Sequence, residues 1–478
     1  MRLHALVAAL AAASSALHLP RPALTKAQRA RQPLPLRIDG QWYDAADYAA
    51  TQHVGGQWLM EYSRGRDVTY LFRAAHSQNE ARAAKALEAM PRIEARDAPA
   101  APHHFALADE PEDVAVDSPL RAELKAMVRR RFGSSLEATK ATPGQWARIG
   151  VFFALTASCW VGWFRGDGAA TALLPLASWL LTAHTAHDAT HGSLSTDARV
   201  NFWLQFTAHP LFFNVFVWIP QHLLSHHQYT NDEDFDVDLH HFAPAKLSPD
   251  TDYGGDSELN AGWTFVVKGC LSTLGTTLLQ PARTLLESAT PNFDENITPV
   301  PEVVAKEVLA LSMAPSVFVL LYPLVAFGLL DGDWSQALAA ALWPYVGASI
   351  IWTTMTQTSH VQEACHEDLP DDACWTARQI AHSYDYSVHD ELENAVVSAL
   401  TAGLNAQSLH HALPSIAQSR LPALYDEYYA IAAKHGATPR TSRNIATAGR
   451  ELLEFVFETN RKDPPPAPPG PVAVATSR

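Results

Sequence analysis

The chain has 478 residues, 47% of them hydrophobic, which is enough for two or three domains with buried cores. Its formal net charge of -15 argues against a nucleic-acid-binding protein, because such proteins draw most of their affinity from basic surfaces that face phosphates. The 4 cysteines include no CxxC pair and predict reduced thiols rather than a disulfide framework.

Residues 1–35 are interpreted as a leader or targeting segment. Arg2 precedes a short apolar run that has the outline of a signal peptide and is too short to span a membrane. A disordered, alanine-rich leader explains the same residues equally well, so both interpretations stay open.

Residues 36–95 have aromatic side chains spaced among polar ones, which predicts a small soluble domain. Residues 96–145 follow as a linker rich in alanine, proline and acidic residues, and then as a basic, amphipathic lead-in to the membrane. Basic residues at this place favour the cytosolic side of the first span.

Five apolar runs fill the next part of the chain, at about 149–164, 169–186, 202–219, 308–330 and 335–356. The third contains His209 and Pro210, so we predict that it is re-entrant or interfacial and that the other four span a bilayer. Residues 146–436 form the predicted membrane domain. Residues 437–478 are predicted to be a polar, proline-rich tail without a packed core.

Histidines follow the apolar runs in clusters. The sequence HDATH places His187 and His191 four residues apart, so a helix would present both on one face. Two further clusters, HLLSHH and QSLHH, and the segment QTSHVQE contribute His222, His226, His227, His360, Gln407, His410 and His411.

These eight histidines are predicted to bind metal, because so many imidazoles near a membrane cost too much desolvation unless something binds them. Imidazole suits iron, copper, nickel and zinc, and since one zinc takes four ligands, eight histidines predict two metal ions. Asp188 lies inside the first cluster. It is either an acid that orients a ligating imidazole or a simple helix-end acid.

The order of the predicted spans supports one shared site. The first pair of spans returns the chain to its starting side with His187, and the second pair delivers His360 and His410 to that same cytosolic side. If the third run crossed the bilayer, His222 would face the opposite compartment, which is a second reason to predict that it does not.

In order and spacing, the clusters resemble the histidine boxes HxxxH, HxxxHH and (H/Q)xxHH of the membrane fatty acid desaturase family. The resemblance covers residues 36–436 and implies a mainly α-helical, four-span membrane domain with a cytosolic histidine-rich cap. It implies a catalytic di-iron centre held by all eight histidines. The glutamine of the third box resembles the front-end branch of the family, and whether Gln407 itself binds iron stays open.

The N-terminal domain resembles cytochrome b5. The sequence HVGG at 53–56 is similar to the HPGG motif that supplies one axial histidine, and His76 follows His53 by 23 residues. The resemblance implies an α+β domain that binds heme b through both imidazoles. Such a heme has no open iron position and carries electrons, and redox-active iron is then the natural choice for the histidine clusters.

Together, the resemblances imply oxygen-dependent, front-end desaturation of a long-chain polyunsaturated acyl lipid or acyl-CoA, of a delta-5 or delta-6 type. The fused heme domain would deliver electrons at a local concentration of roughly millimolar. No GxGxxG lies at Rossmann spacing, so a separate NADH-cytochrome b5 reductase is expected. The endoplasmic reticulum is the expected membrane, and the leader keeps a plastid membrane as an alternative.

Two other functions stay open. A sphingolipid desaturase or lipid hydroxylase could use the same metal centre, because the oxidant can also return oxygen to carbon. A heme-bearing membrane electron-transfer protein with an inactive metal site is the alternative from another class.

Overall fold

A computed structural model of the chain describes residues 33–51, 57–94, 114–251, 253, 260–286, 306–367, 369–370 and 372–461. The described part is mainly helical, as predicted, with two small sheets.

The N-terminal unit, residues 33–94, is built on a four-stranded sheet of order β3-β1-β2-β4. Asp39 and Gly40, both at positive φ, make the tight turn between the antiparallel β1 and β2, a conformation that Asp-Gly pairs favour. The strands are β1 (Pro35–Ile38), β2 (Gln41–Asp44), β3 (Arg66–Asp67) and β4 (Arg92–Ile93). The helices are α1 (Ala46–Thr51), α2 (Gln57–Tyr62), α3 (Thr69–Ala75) and α4 (Glu80–Glu88).

This unit shares its apolar core with the rest of the chain. Leu36 and Tyr62 belong to the same buried cluster as Phe216 and Ile219 of the membrane domain. Burial of this apolar surface favours a docked arrangement of the unit over a freely tethered one.

The lead-in forms helix α5 (Pro119–Phe132), which Ser118 caps at its N-terminus by accepting a hydrogen bond from Arg121 N. Leu124 and Met127 on α5 are fully buried in a cluster that contains Leu409 and Tyr428. The helix therefore packs against the segment that carries the third histidine cluster.

Helices α6 (Pro143–Phe164) and α7 (Gly168–Thr182) form a hairpin. Thr142 and Asp167 cap their N-termini through side-chain hydrogen bonds. A Cβ at Gly162 would lie 2.3 Å from the Cβ of Ala170, so the close approach of the two helices requires glycine there.

Three helices of the described ranges are long and apolar enough to cross a membrane: Pro143–Phe164, Lys306–Leu330 and Trp334–Gln357. The predicted number of four spans is therefore wrong. The run 169–186 forms α7, which has 15 residues and continues into a π-helical turn, Ala183–His187. Pro175 and the polar residues near its end lower its hydropathy, and its second half is buried in the bundle. The sidedness of the histidine clusters stays a prediction.

The interrupted run 202–219 is not one continuous helix. A turn at Pro210 separates the helical segments on its two sides. The segments around it are α8 (Asp188–Thr190), α9 (Ala198–Leu204), a 3-10 turn (Gln205–Ala208), α10 (Val215–Ile219) and a π-helical segment (Pro220–His226).

The second half of the membrane domain consists of helices that pack mainly against the helix Trp334–Gln357, which in turn packs against α7. Its elements are α11 (Gly262–Gly269), α12 (Ser272–Leu274), π-helical Gly275–Leu279, α13 (Gln280–Leu286), α14 (Lys306–Ser312), α15 (Ala314–Pro323), π-helical Leu324–Leu330 and α16 (Trp334–Gln357). Trp163 Nε1 donates to Ala340 O over 2.9 Å and links α6 to α16. Large apolar side chains such as Phe153 and Leu329 point outwards, as a lipid-facing surface requires.

The remaining elements form a cap beside the bundle. They are α17 (Trp375–Ala381), β5 (Tyr384–Tyr386), α18 (Glu391–Thr401), α19 (Gln407–Ala412), α20 (Tyr425–Lys434), β6 (Arg440–Ser442) and α21 (Ile445–Thr459). Although the predicted domain ends at residue 436, β6 pairs in parallel with β5. Helix α21 also buries Leu452 and Val456, so part of the predicted tail belongs to the packed cap.

Candidate metal centre

The first two histidine clusters lie on segments with π-helical hydrogen bonding. His187 ends the π-helical turn after α7, and His227 N donates to His222 O across 3.0 Å, five residues back. A π-helical turn rotates the later side chain about the axis relative to an α-helix, and such turns are frequent at functional sites. Here the turn brings the His222 and His227 rings to 4.5 Å between centroids.

The third cluster lies on α19, and Asp385 on β5 fixes the start of that helix. Asp385 Oδ1 accepts from Ser408 N over 2.8 Å, and its Oδ2 accepts from Ser408 Oγ over 2.6 Å. This cap satisfies an N–H group that the first helical turn leaves without a partner. His360 follows the end of α16 and faces α19.

Five predicted residues, drawn from all three clusters, form the first imidazole group. Their candidate ligand nitrogens lie within 4.8 Å of one another. His191 Nε2 and His227 Nε2 lie 2.9 and 3.2 Å from His222 Nε2. The members are His187, His191, His222, His227 and His410.

The second imidazole group contains His226, His360 and His411. Gln407 Nε2 lies 2.9 Å from His360 Nε2, so the side-chain amide of Gln407 belongs to this group. The groups adjoin, because the His227 and His411 rings stack at 4.2 Å. All nine residues that the desaturase resemblance singled out therefore converge.

The residues present fit two transition-metal ions. Burial lowers the pKa of His187 and of His360 to about 3, so both imidazoles are neutral and can donate a lone pair. Both nitrogens of His410 and Nε2 of His411 have no hydrogen-bond partner among the described residues. Burying such nitrogen atoms without a partner costs free energy, and coordination of a metal ion would satisfy them. Eight imidazoles exceed the four ligands of a single zinc.

Partners outside the groups fix the tautomer of four imidazoles by accepting from Nδ1, which leaves Nε2 as the ligand nitrogen. In the second group, His360 Nδ1 donates to His382 O over 3.1 Å, and His411 Nδ1 donates to Gln379 Oε1 over 2.9 Å. In the first group, the Gln418 side-chain oxygen accepts from His187 Nδ1 over 2.7 Å, in the amide orientation that also lets its nitrogen donate to Ala402 O.

His226 has a charged partner. Its Nδ1 lies 3.0 Å from Asp236 Oδ2 and 3.5 Å from Asp238 Oδ2. Burial by itself would lower the pKa of His226, but the two carboxylates raise it to about 9. Asp236 also accepts from Asn231 N, whose side chain donates to His360 O, so one network positions two ligands of the second group.

Asp188 makes no direct hydrogen bond to an imidazole among the described residues, which was one of the two roles left open for it. Its carboxylate accepts from Gln145 Nε2 over 2.8 Å and from Gln418 N over 3.2 Å. Asp188 therefore holds Gln418, and Gln418 holds His187. Sequence reasoning missed Gln418, Gln379 and Asp236. Of these three residues, only Asp236 was indicated by the sequence, because it lies with Asp238 shortly after the second histidine cluster. The spacing gave no reason to assign it to His226.

A narrow cavity of about 60 Å³ ends at the two groups. Its apolar wall is aromatic, with Phe213, Trp218 and Trp352, and its other wall includes His222 and His360. Trp218 stacks on His222 with 4.2 Å between ring centroids. An apolar ligand in this cavity would therefore contact the imidazoles.

A larger cavity of about 250 Å³ lies between the N-terminal unit and the same histidines. Leu71, Phe72 and His76 line it from one side, and His191 and His227 line it from the other. The candidate metal centre is thus reached from two directions, by an aromatic cavity and by a cavity against the N-terminal unit.

Of the two predicted heme ligands, His53 lies outside the described residues. His76 caps the C-terminus of α3, and its Nδ1 donates to Phe72 O over 2.8 Å. That bond places the ring proton on Nδ1, so an axial ligand at this position would use Nε2. The described residues therefore contribute one of the two predicted imidazoles to the lining of the larger cavity, and heme binding stays a prediction.

Comparisons with known proteins agree with this geometry. The sequence matches the family model "Fatty acid desaturase" over residues 167–443, which include every residue of both imidazole groups. An acyl-lipid omega-13 desaturase of Chlamydomonas reinhardtii is 28% identical over 86% of this chain and 90% of its own length. An acyl-lipid (7-3)-desaturase, chloroplastic, of the same alga is 24% identical over 80% of this chain and 72% of its own. A probable Delta(5) fatty acid desaturase C of Dictyostelium discoideum is 29% identical over 43% of each chain.

Proposed function

Because the chain belongs to the fatty acid desaturase family, we propose that it carries out front-end desaturation of a long-chain, polyunsaturated acyl lipid. Two relatives are named for acyl-lipid substrates and a third for a Delta(5) double bond, which supports both the substrate class and the side of desaturation. The observation that carries the proposal is the convergence of eight imidazoles beside an aromatic cavity.

We assign the iron ligands to the two imidazole groups, with Gln407 as the additional side chain of the second group. Two bound irons would supply the activation of dioxygen. In the balanced reaction, one dioxygen takes two hydrogens with their electrons from the acyl chain and two electrons with two protons from outside, and two waters leave.

The chain itself positions the substrate. An acyl chain in the aromatic cavity would lie against the contacting rings of Trp218 and Trp352, with adjacent carbons directed at His222 and His360. The buried aromatic wall excludes water from this place and limits the carbons that can approach. The position of the new double bond is then set by how far the chain enters.

The N-terminal unit is proposed to bind heme b through His53 and His76 and to supply the external electrons. A bis-histidine heme has no open position, which suits transfer of electrons and excludes oxygen binding. A separate NADH-dependent reductase is the expected source. The endoplasmic reticulum is the proposed membrane, with a plastid membrane as the second possibility because one relative is named chloroplastic.

Expression in a host without polyunsaturated acids, with defined fatty acids supplied, tests this function. Mass spectrometry of the lipids should show loss of two hydrogens and a new double bond on the carboxyl side of an existing one. A gain of one oxygen would instead indicate a hydroxylase, and product confined to sphingoid bases a sphingolipid desaturase.

The double variant His226→Ala/His411→Ala tests the metal assignment in the same host. Both residues belong to the second imidazole group, so their loss should reduce product below detection and lower the iron content. His389→Ala, at an exposed histidine of the cap, is the matched control and should retain product. Wild-type product levels from the double variant would overturn the catalytic assignment of these histidines.

A further inference from the structure

We propose that the N-terminal unit is docked in one fixed orientation on the histidine centre, and that Gln228 is the residue that sets this orientation. The inference rests on the proposed function, in which the N-terminal unit donates electrons. It states that this unit stays in contact with the histidine centre and does not bind it transiently. Gln228 acts as a positioning residue between helix α3 and the segment that ends in His227.

Gln228 lies next to His227 in the sequence and is 3% exposed. Its Oε1 accepts from Leu71 N over 3.2 Å, across the boundary between the N-terminal unit and the membrane domain. Its Nε2 donates to Leu224 O over 2.9 Å, and its carbonyl oxygen accepts from Trp375 Nε1 over 3.1 Å. Both polar atoms of the Gln228 side chain are therefore hydrogen-bonded, and one of the two bonds joins it to the N-terminal unit.

The bond to Leu71 has a local reason. Leu71 lies in the first turn of α3, whose N-terminal N–H groups have no partner within the helix. The residue before α3 is Val68, which gives no side-chain cap. Gln228 therefore caps α3 from the opposite unit. The same short helix ends at His76, so the cap and the candidate heme ligand are joined by less than two helical turns.

Further contacts around Gln228 hold the same orientation. The Tyr70 ring stacks on Trp375 with centroids 5.9 Å apart and an angle of 12°. Tyr62 Oη donates to Phe216 O over 2.8 Å, and Tyr62 is fully buried. On the far side of the larger cavity, Ser77 Oγ lies 3.0 Å from Ser415 Oγ.

These contacts distinguish docking from tethering. A unit that searched for its partner on a flexible linker would expose the apolar surface around Tyr62 to water in most positions, which costs free energy. In the docked position, His76 and His227 line opposite sides of one cavity. Electron delivery then needs no encounter step.

Hydrogen exchange in the full-length protein tests the docking directly, without dependence on turnover. In Gln228→Leu, the amides of peptide 69–76 should exchange about tenfold faster than in the wild type, because Leu71 N in the first turn of α3 loses its hydrogen-bond acceptor. Gln41→Leu makes the same chemical change on strand β2, away from the interface, and should not alter that peptide. Unchanged exchange in Gln228→Leu would overturn the proposal.

A comparison of two reductants tests the consequence. With NADH and the reductase, electrons must enter through the N-terminal unit, whereas dithionite also reaches the metal centre directly. The ratio of NADH-driven to dithionite-driven product should fall about tenfold in Gln228→Leu. An equal fall with both reductants would mean that Gln228 acts only on His227 and would overturn the docking role.

Tyr62→Phe is a milder variant of the same interface, for the case that Gln228→Leu does not fold. It removes one hydroxyl and should lower the ratio of NADH-driven to dithionite-driven product by a smaller factor. The heme absorption spectrum of the wild type separates this inference from the proposed function. A wild type without a bis-histidine heme spectrum would overturn the donor role of the N-terminal unit, while the exchange measurement would still decide whether the unit is docked.

Discussion

The two imidazole groups lie side by side but are built differently. The first has five imidazoles, and the Nδ1 atoms of His222, His227 and His410 have no partner among the described residues. The second has three imidazoles, each with Nδ1 held by a carboxylate, a carbonyl or an amide oxygen. A group with many ligands tolerates loose ones, whereas a group with few depends on their orientation. The second group should therefore be the more sensitive to changes outside the ligand set.

Removal of single ligands should have the largest effect and should separate the groups. His360→Ala leaves the second group with two imidazoles and Gln407. The variant should therefore lose about one of its two irons, and its activity should fall more than about 100-fold. His410→Ala leaves four imidazoles in the first group, enough to keep its iron. Iron analysis of the purified variants measures this contrast, and equal iron loss from both would contradict the division into two groups.

A change beyond the ligands should have an intermediate effect on the second group. Asp236→Asn removes the charge that holds His226 and should cost about 10–100-fold in activity or iron affinity. Asp234→Asn, at an exposed acid two residues away, is the control. Product formation and iron retention against a chelator are the measurements. An Asp236→Asn protein that behaves like the control would show that His226 needs no outer partner.

Substitutions of Gln407 should have the smallest effect on activity, and a comparison of two of them distinguishes an iron ligand from a packing residue. If its amide oxygen binds iron, Gln407→Leu should lose about tenfold in activity, and Gln407→His should retain most of it because an imidazole can take the same place. The same loss in both variants would assign Gln407 a packing role. Optical or Mössbauer spectra of the iron-loaded variants report the change in ligand field independently of turnover.

Prediction from sequence succeeded where the relevant spacing is short. His187 and His191 lie about one helical turn apart and fall in the same imidazole group, because such spacing follows directly from the local backbone. It left the role of Asp188 open, because whether a carboxylate reaches a ring depends on Gln418, which lies 230 residues away along the chain. It failed for the number of spans, since the burial of α7 among other helices made an uninterrupted apolar run unnecessary.

By itself, the sequence determined which residue types can bind the metals, their order along the chain and the family to which the chain belongs. Only the tertiary structure decided how the imidazoles divide into two groups, which oxygens fix their tautomers, and that Gln228 joins α3 to the segment of His227. The physical reason is that ligand chemistry and helical spacing are local properties of the chain. Outer partners and docked surfaces exist only after distant segments have packed together.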